Sequence, residues 1–373
     1  MKKDVYINIK EIINLDKIRN RIITISGEPA SGKSTVVKEI KNKYEEQGFN
    51  VYIISVGNVF REMVKKEYLK KYPDRVDTSL ADIQNDKDFM AKVRSIDGLI
   101  DNEIAKKGRE INEKARPNDV YIIDSRLAWS NVPDSYAIRL TVNESIAGKR
   151  VFYDTTRGAE DQYETLDEAI QKTKKRKLGE IERYKERYGI DLLDENNYDL
   201  VVDTSYTNTK ELADIIVTGE EAYRTGKSYP KYWANPTCFM PLQISKNIEE
   251  VSESGETIQG LAKKIKENGY KTPEGILEII KRNGIKYLVK GLHRTFGALS
   301  ASKTLLPYEI SKKKISSKPI LSEENLRSYA EKIRYYSGEV GNTKQLKNFT
   351  IENLLEMNNM TFTDLCNPTE REH

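Results

Sequence analysis

The chain has 373 residues, 38% hydrophobic and 32% charged, a balance that fits a globular protein of two or three domains with well-solvated helices. Its 62 basic and 58 acidic residues leave a net charge of +4, too small by itself to imply nucleic-acid binding. No apolar run approaches the roughly 20 residues needed to span a bilayer, so a membrane role is not expected. The Met-Lys-Lys start is followed by no apolar signal core, and the expected location is cytoplasmic. Two cysteines, Cys238 and Cys366, make neither a disulfide framework nor a zinc site, so the expected metal is Mg²⁺ held by oxygen. Only two histidines occur, His293 and the terminal His373, which argues against histidine chemistry in the first 290 residues.

The first predicted strand is Ile22-Ile23-Thr24-Ile25-Ser26. It leads into Gly27-Glu28-Pro29-Ala30-Ser31-Gly32-Lys33-Ser34, and a helical pattern with Val36, Val37 and Ile40 on one face follows. A G-x-x-x-x-G-K-[ST] run between a strand and a helix is a phosphate-binding loop. Its glycines let successive N–H groups turn inward towards phosphate oxygens, and the positive end of the helix adds to that field. The candidate nucleotide-binding residues are Gly27, Ala30, Ser31, Gly32, Lys33, Ser34 and Thr35. Lys33 can bridge the β- and γ-phosphates, and the Ser34 hydroxyl can ligate Mg²⁺. The loop therefore implies binding of a nucleoside triphosphate.

Further strands are predicted at 51–55, 120–124, 135–142 and 198–203, with helices between them, one starting near Val59. Strands alternating with helices over about 220 residues imply an α/β fold, a doubly wound parallel sheet with ligands at the strand carboxyl ends. From Val151 to Asp191 the composition shifts to charged helix with few large apolar residues. Arg176 and Arg183 stand seven residues apart and so share a helical face, and Arg150 and Arg157 repeat the interval upstream. Four arginines on such an excursion suit a closing phosphate clamp, because guanidinium is bidentate and keeps its charge when water is expelled.

A linker is predicted across 224–236. Beyond it the pattern reads as a helix at 258–268, a second helix at 273–282, a strand at 285–289, a helix opened by Gly291-Leu292-His293-Arg294, and a strand at 305–310. The tail from Leu321 reads as helical, with Leu326, Tyr329, Ile333 and Tyr336 on one stripe, the mark of a packed core face. The expected domains are 1–225, with a lid at about 148–190, then a smaller α+β unit at 226–320 and a helical extension at 321–373.

Residues 20 to 205 resemble the cytidylate kinases, particularly their compact archaeal branch. The resemblance rests on Ile25 through Thr35, Ser55-Val56-Gly57-Asn58-Val59-Phe60-Arg61, Asp97 to Ile104, Asp124-Ser125-Arg126-Leu127-Ala128 and Arg176 to Asp191. It implies that Ser55 and Arg61 line the acceptor pocket and that Arg126 grips the acceptor phosphate. By the same likeness Arg150 and Arg157 stand at the base of the lid near the donor nucleotide. Arg176 and Arg183 contact the phosphates in transfer, and Asp124 lies near Mg²⁺. Phosphoryl transfer needs mainly positioning and charge stabilisation, and a phosphate acceptor needs no general base. This sequence departs from the family pattern at Glu28 and Ala30 in the loop, at Ser125, at Trp129, and in a longer 65–94 segment.

Residues 241 to 310 resemble the ParB/sulfiredoxin-like fold through Pro241-Leu242-Gln243-Ile244, the helix with Leu261, Ile265 and Gly269, Tyr287-Leu288-Val289, and Gly291 to Leu299. That likeness implies an anion site at Gly291, His293 and Arg294 and opens a route to nucleic acid as a partner. The expected function is an ATP- and Mg²⁺-dependent phosphotransferase acting on a nucleoside monophosphate of (deoxy)cytidylate type. Two alternatives stay open: a kinase of a hydroxyl acceptor with Asp124 as base, and a nucleotide-gated DNA-binding module.

Overall fold

The computed structural model describes residues 20–75, 116–154, 163–242, 257–269, 275–312, 322–340 and 343–366, with isolated residues between 83 and 114 and Gly255. Strand β1 (Arg21–Gly27) carries Ile22, Ile23 and Ile25, all buried, because parallel strands are covered on both faces. It feeds helix α1 (Lys33–Glu46), which buries Val36, Val37, Ile40 and Tyr44. The chain continues through β2 (Asn50–Ser55), α2 (Val56–Lys71), β3 (Asp119–Asp124) and a short α3 (Ala128–Asn131). Then come β4 (Tyr136–Thr141), α4 (Glu144–Tyr153), α5 (Leu166–Tyr188), β5 (Leu200–Asp203) and α6 (Thr209–Arg224). These five strands lie parallel in the order β2-β3-β1-β4-β5. The predicted doubly wound sheet is present, and Gly27, Ser55 and Asp124 fall together at its carboxyl edge.

Side-chain caps set several helix starts. Asn143 Oδ1 accepts from the N–H groups of Ser145 and Ile146 at the head of α4, and Thr165 and Asn208 cap α5 and α6 in the same way. Gly189, at φ 65°, stops the long α5 in a left-handed turn.

The second half adds β6 (Tyr232–Ala234), β7 (Met240–Pro241), α7 (Ile258–Asn268), β8 (Leu277–Arg282), β9 (Ile285–Lys290), α8 (Leu292–Ser300) and β10 (Leu306–Ile310). Helices α9 (Glu323–Arg334), α10 (Ile351–Met357) and α11 (Phe362–Cys366) follow. Its strands extend the same sheet, which runs on as β5-β6-β10-β8-β9-β7 to ten strands. The segment expected as a linker contains β6, whose Tyr232 and Trp233 pair with Val201 and Val202 of β5. Val142, Ile146 and Ala147 share a core with Ala234, Phe239, Leu277, Leu306 and Met357, so the predicted boundary near residue 225 is bridged by both sheet and core.

The helix expected at 273–282 is instead a strand where it is described, Leu277–Arg282. Asn283 and Gly284 both take positive φ, 48° and 78°, and make a two-residue hairpin turn into β9. Asn-Gly between apolar runs is a strong hairpin signal, and it outweighs the apparent helical spacing. Helix α2 starts at Val56, three residues before the expected Val59. The tail stripe of Leu326, Tyr329, Ile333 and Tyr336 is buried as expected, with Phe296 5.9 Å from Tyr329 and 5.1 Å from Tyr336, ring centre to ring centre. Among the described residues no helix is long and apolar enough to cross a membrane.

Helices α4 and α5 approach closely at Gly148. A Cβ there would stand 2.7 Å from the Ile170 Cα and 2.9 Å from its backbone nitrogen. Backbone cannot swing aside as a side chain can, so Gly148→Ala is expected to cost about 1–3 kcal/mol. A lowered urea midpoint with an unchanged slope is the expected result; an unchanged midpoint would show that the two helices part freely.

Candidate active site

The phosphate loop leaves β1 and curls tightly. The Glu28 N–H bonds the Leu140 carbonyl at 3.0 Å, and the Ser31 N–H bonds the Glu28 carbonyl at 3.1 Å. Gly32 caps α1 at φ 79° without a side-chain hydrogen bond, and the first helical turn carries no acid. The helix therefore presents uncapped N–H groups and an unopposed positive end. The Ser31 hydroxyl is buried within this curl without a hydrogen-bond partner, and a Cβ on Gly27 would meet it at 2.6 Å. Ser34 and Thr35 are exposed at the mouth. These features fit the phosphates of a nucleotide. Among the described residues no cluster of three metal-ligating side chains occurs.

Ala30 sits at φ 59°, a left-handed conformation that costs an L-residue about 1–2 kcal/mol. Arg150 holds it there. Its Nη1 donates to the Ala30 carbonyl at 3.0 Å and to Thr204 Oγ1 at 3.3 Å, while Nη2 donates to the carbonyls of Thr204 and Ser205. Thr204 in turn donates to the Ser31 carbonyl at 2.9 Å or the Thr141 carbonyl at 3.0 Å. The end of β5 thus braces the loop through Arg150 and Thr204, and sequence reasoning missed Thr204.

Lys33 and Asp124 form a close ion pair, each less than one-fifth exposed. Burial lowers the Lys33 pKa from its ordinary value, with Asp124 opposing that shift and the Arg126 charge assisting it. Strand register puts Ser55 directly beside Asp124 and Ile25 on its other side. Arg126 follows at once, and its Nε and Nη2 both reach one oxygen of Glu180 on α5, at 2.9 and 2.8 Å. Arg176 Nε faces the other Glu180 oxygen at 3.5 Å. Two predicted phosphate-binding arginines therefore converge on a single carboxylate, close enough to Lys33 to act on its charge. Nothing in the sequence singled out Glu180, although its spacing four residues after Arg176 places it on the same helical face. Arg183 is exposed, 5.3 Å from the centre of its neighbouring Tyr184 ring, and is not drawn into this group.

Glu28 is turned away from the phosphate position. Its carboxylate meets Arg139 Nη2 at 3.1 Å and Lys177 Nζ at 3.0 Å and accepts from the Val142 N–H at 3.3 Å. Arg139, in the middle of β4, is only 7% exposed and also donates to the Leu192 carbonyl. An unusual acid in the loop is thus explained by a buried arginine that needs a counter-charge.

In the second half, Gly291 caps α8 at φ 110°, and a Cβ there would stand 2.4 Å from Leu277 Cδ2. Arg294 donates to the Ile276 carbonyl at 3.0 Å. Glycine and guanidinium in the predicted Gly291, His293 and Arg294 anion site therefore have structural duties of their own. Arg157 and the Arg61 side chain lie outside the described residues.

The profile of the cytidylate kinase-like family matches residues 22–206. A cytidylate kinase of Sulfolobus acidocaldarius is 31% identical over 198 residues, covering 52% of this chain and 91% of the relative. One from Halobacterium salinarum is 31% identical over 209 residues, covering 54% of this chain and 91% of the relative. The chain belongs to the cytidylate kinase-like family. It is an ATP-dependent kinase. An S-adenosylmethionine-dependent nucleotide dehydratase of Lacinutrix mariniflava is 29% identical over 196 residues, which cover 52% of this kinase and 35% of the dehydratase. The family match ends at residue 206, so β6 to β10 and the terminal helices lie beyond it.

Removing Glu28 from the kinase leaves Arg139 buried beside Lys177 without its carboxylate. Glu28→Ala is expected to cost about 3 kcal/mol, whereas Glu28→Ala combined with Arg139→Leu costs less than the two single changes added together. Urea denaturation of the four proteins measures this coupling; strict additivity would mean that the pair does not act as one.

Proposed function

We propose that this kinase moves the γ-phosphate of ATP to the phosphate of a nucleoside monophosphate of cytidylate or deoxycytidylate type. The observation that carries the proposal is the convergence of Arg126 and Arg176 on the Glu180 carboxylate beside Lys33. A carboxylate gripped by two guanidinium groups stands where an acceptor or transferring phosphate would stand, and a phosphate offers the same fork of oxygens with more charge.

In this reading the uncapped N–H groups of the loop and Lys33 bind the β- and γ-phosphates, and Ser34 with Asp124 supports Mg²⁺. The metal, when bound, neutralises charge on the phosphates. Arg126 grips the acceptor phosphate and Ser55 lines its pocket, while α5 acts as the lid that brings Arg176, and on further closure Arg183, over the transferring group. Lysine and guanidinium donors fixed in advance stabilise charge that spreads over equatorial oxygens in a loose transition state. Arg150 positions the loop, since its Nη1 and Nη2 donors are taken by the Ala30, Thr204 and Ser205 carbonyls and the Thr204 hydroxyl.

The pairing of Asp124 with Lys33 engages that carboxylate with the loop lysine rather than leaving it free to serve a hydroxyl acceptor, which favours a phosphate acceptor. The likeness of residues 241–310 to the ParB/sulfiredoxin-like fold is part of the proposal as an accessory unit. It rests on the strand, helix, hairpin and helix order there, and with a net charge of +4 we assign it no nucleic-acid partner.

A coupled ADP-release assay with CMP, dCMP and UMP tests the substrate; turnover is expected with CMP or dCMP, and silence with every monophosphate would sink the proposal. Arg126→Ala is expected to lower kcat/KM for the acceptor about 10²-fold while leaving ATP affinity within a few-fold. Equal losses for ATP and acceptor would remove Arg126 from the acceptor side.

A further inference from the structure

A site that passes a phosphoryl group from one phosphate to another needs no general base, so water is a competing acceptor at every turnover. Selectivity against water improves if the stabilising cations are withheld from the γ-phosphate until the proper acceptor has bound. Glu180 is placed to withhold them. Its side chain is 15% exposed and that of Arg126 18%, so the pair is largely shielded from solvent. Arg126 Nε and Nη2 form the two-donor edge that suits the oxygens of a phosphate, and both are taken by one Glu180 oxygen, at 2.9 and 2.8 Å. The other oxygen faces Arg176 Nε at 3.5 Å. The same carboxylate is close enough to Lys33 to act on its charge.

Helix α5 holds Glu180 over these arginines. Lys174 meets Glu144 of α4 at 2.9 Å, and Lys177 meets Glu28 of the phosphate loop at 3.0 Å. Residues 174, 177 and 180 follow at three-residue intervals and so share one side of the helix. The helix is therefore tied to α4 and to the loop just ahead of Glu180, and the carboxylate can leave Arg126 by turning its own side chain. A phosphate brought to Arg126 carries charge enough to compete with a carboxylate for it, whereas water carries none.

We propose that Glu180 is a specificity-determining residue that makes this kinase favour a phosphate acceptor over water. It occupies Arg126 and Arg176 while ATP alone is bound and yields them when an acceptor phosphate arrives. The inference rests on the assignment of Arg126 to the acceptor phosphate made above. In transfer, an acceptor oxygen bonds the γ-phosphorus as the bond to the β–γ bridging oxygen breaks, and ADP leaves. In hydrolysis a water oxygen takes the acceptor's part, one of its protons passes to solvent, and the products are ADP and inorganic phosphate. Guanidinium groups over the γ-phosphate would stabilise either transition state, and Glu180 keeps them from the second.

Release of inorganic phosphate from ATP with no acceptor present tests this. Glu180→Gln keeps the side-chain shape without the charge and is expected to raise hydrolysis at least about tenfold. Glu180→Asp, one methylene shorter, is expected to raise it less, and Glu182→Gln, which removes an exposed charge from the same helix, not at all. The gain should disappear when Glu180→Gln is combined with Arg126→Met. Calorimetry without nucleotide gives a reading apart from activity, with inorganic phosphate binding Glu180→Gln several-fold more tightly than the parent. A merely structural ion pair would leave both readings unmoved or lowered. The idea is overturned if hydrolysis or phosphate affinity is unchanged in Glu180→Gln, or if the gain survives Arg126→Met. Should Glu180→Gln fail to fold, an unchanged rate in Glu180→Asp overturns it instead. Turnover of CMP or dCMP with unchanged hydrolysis removes this inference alone, whereas raised hydrolysis without turnover of any monophosphate supports it and removes the assigned acceptor.

Discussion

A loop built to hold several phosphates gathers positive charge that must be balanced when no phosphate is present. The rest of the site follows from that constraint. Lys33, Arg126, Arg176, Arg139 and Lys177 crowd into one region, and three carboxylates answer them. Asp124 pairs with Lys33, Glu180 with Arg126 and Arg176, and Glu28 with Arg139 and Lys177. Each acid comes from a different element: β3, α5 and the loop itself. Partly buried pairs of this kind contribute little net stability once desolvation is counted, but removing one partner leaves an expensive orphan. Their effect is to fix the geometry of the guanidinium groups.

This arrangement also separates two kinds of arginine. Arg126 and Arg176 are held by a single side-chain carboxylate, Glu180. Arg150 is held by carbonyls of Ala30, Thr204 and Ser205, and these cannot leave without unmaking the loop. Arg150 keeps Ala30 in its left-handed conformation, where glycine would be the easier residue. An alanine there carries strain, and the structure around it compensates with a half-buried cation.

The phosphate loop, the five parallel strands and the charged helix were legible in the sequence because each is a local pattern. Ile22 to Ser26 is a continuous apolar run, the glycines stand at fixed offsets, and Arg176 shares a helical face with its partners. Glu180, Thr204 and Arg139 were not legible. Their importance depends on what the fold brings next to them, and neighbours 54, 173 and 111 residues away leave no local trace. The strand at Leu277–Arg282 was misread for a different reason. Its spacing suits helix and strand alike, and the deciding information lay in Asn283-Gly284 just outside it. Arg183 shows the limit of spacing arguments, for it shares a face with Arg176 yet stays in solvent beside Tyr184.

The seam between the family-matched half and the remainder is where the sheet gives most to this particular kinase. A strand such as β5, left at an edge, exposes unpaired backbone groups, and here β6 covers it. The covering elements also reach the active region. Asn143, which caps α4, donates to the Glu356 carbonyl at 3.2 Å, and Lys149 meets the Glu356 carboxylate at 3.0 Å. Helix α4 carries Arg150, so α10 restrains the same element that braces the phosphate loop. Met357 then joins Val142, Ile146 and Ala147 in their core. Residues far beyond the family match therefore contact the helix whose Arg150 braces the phosphate loop. Glu356, α4 and Arg150 thus form a continuous chain of contacts from the last fifty residues to the phosphate loop.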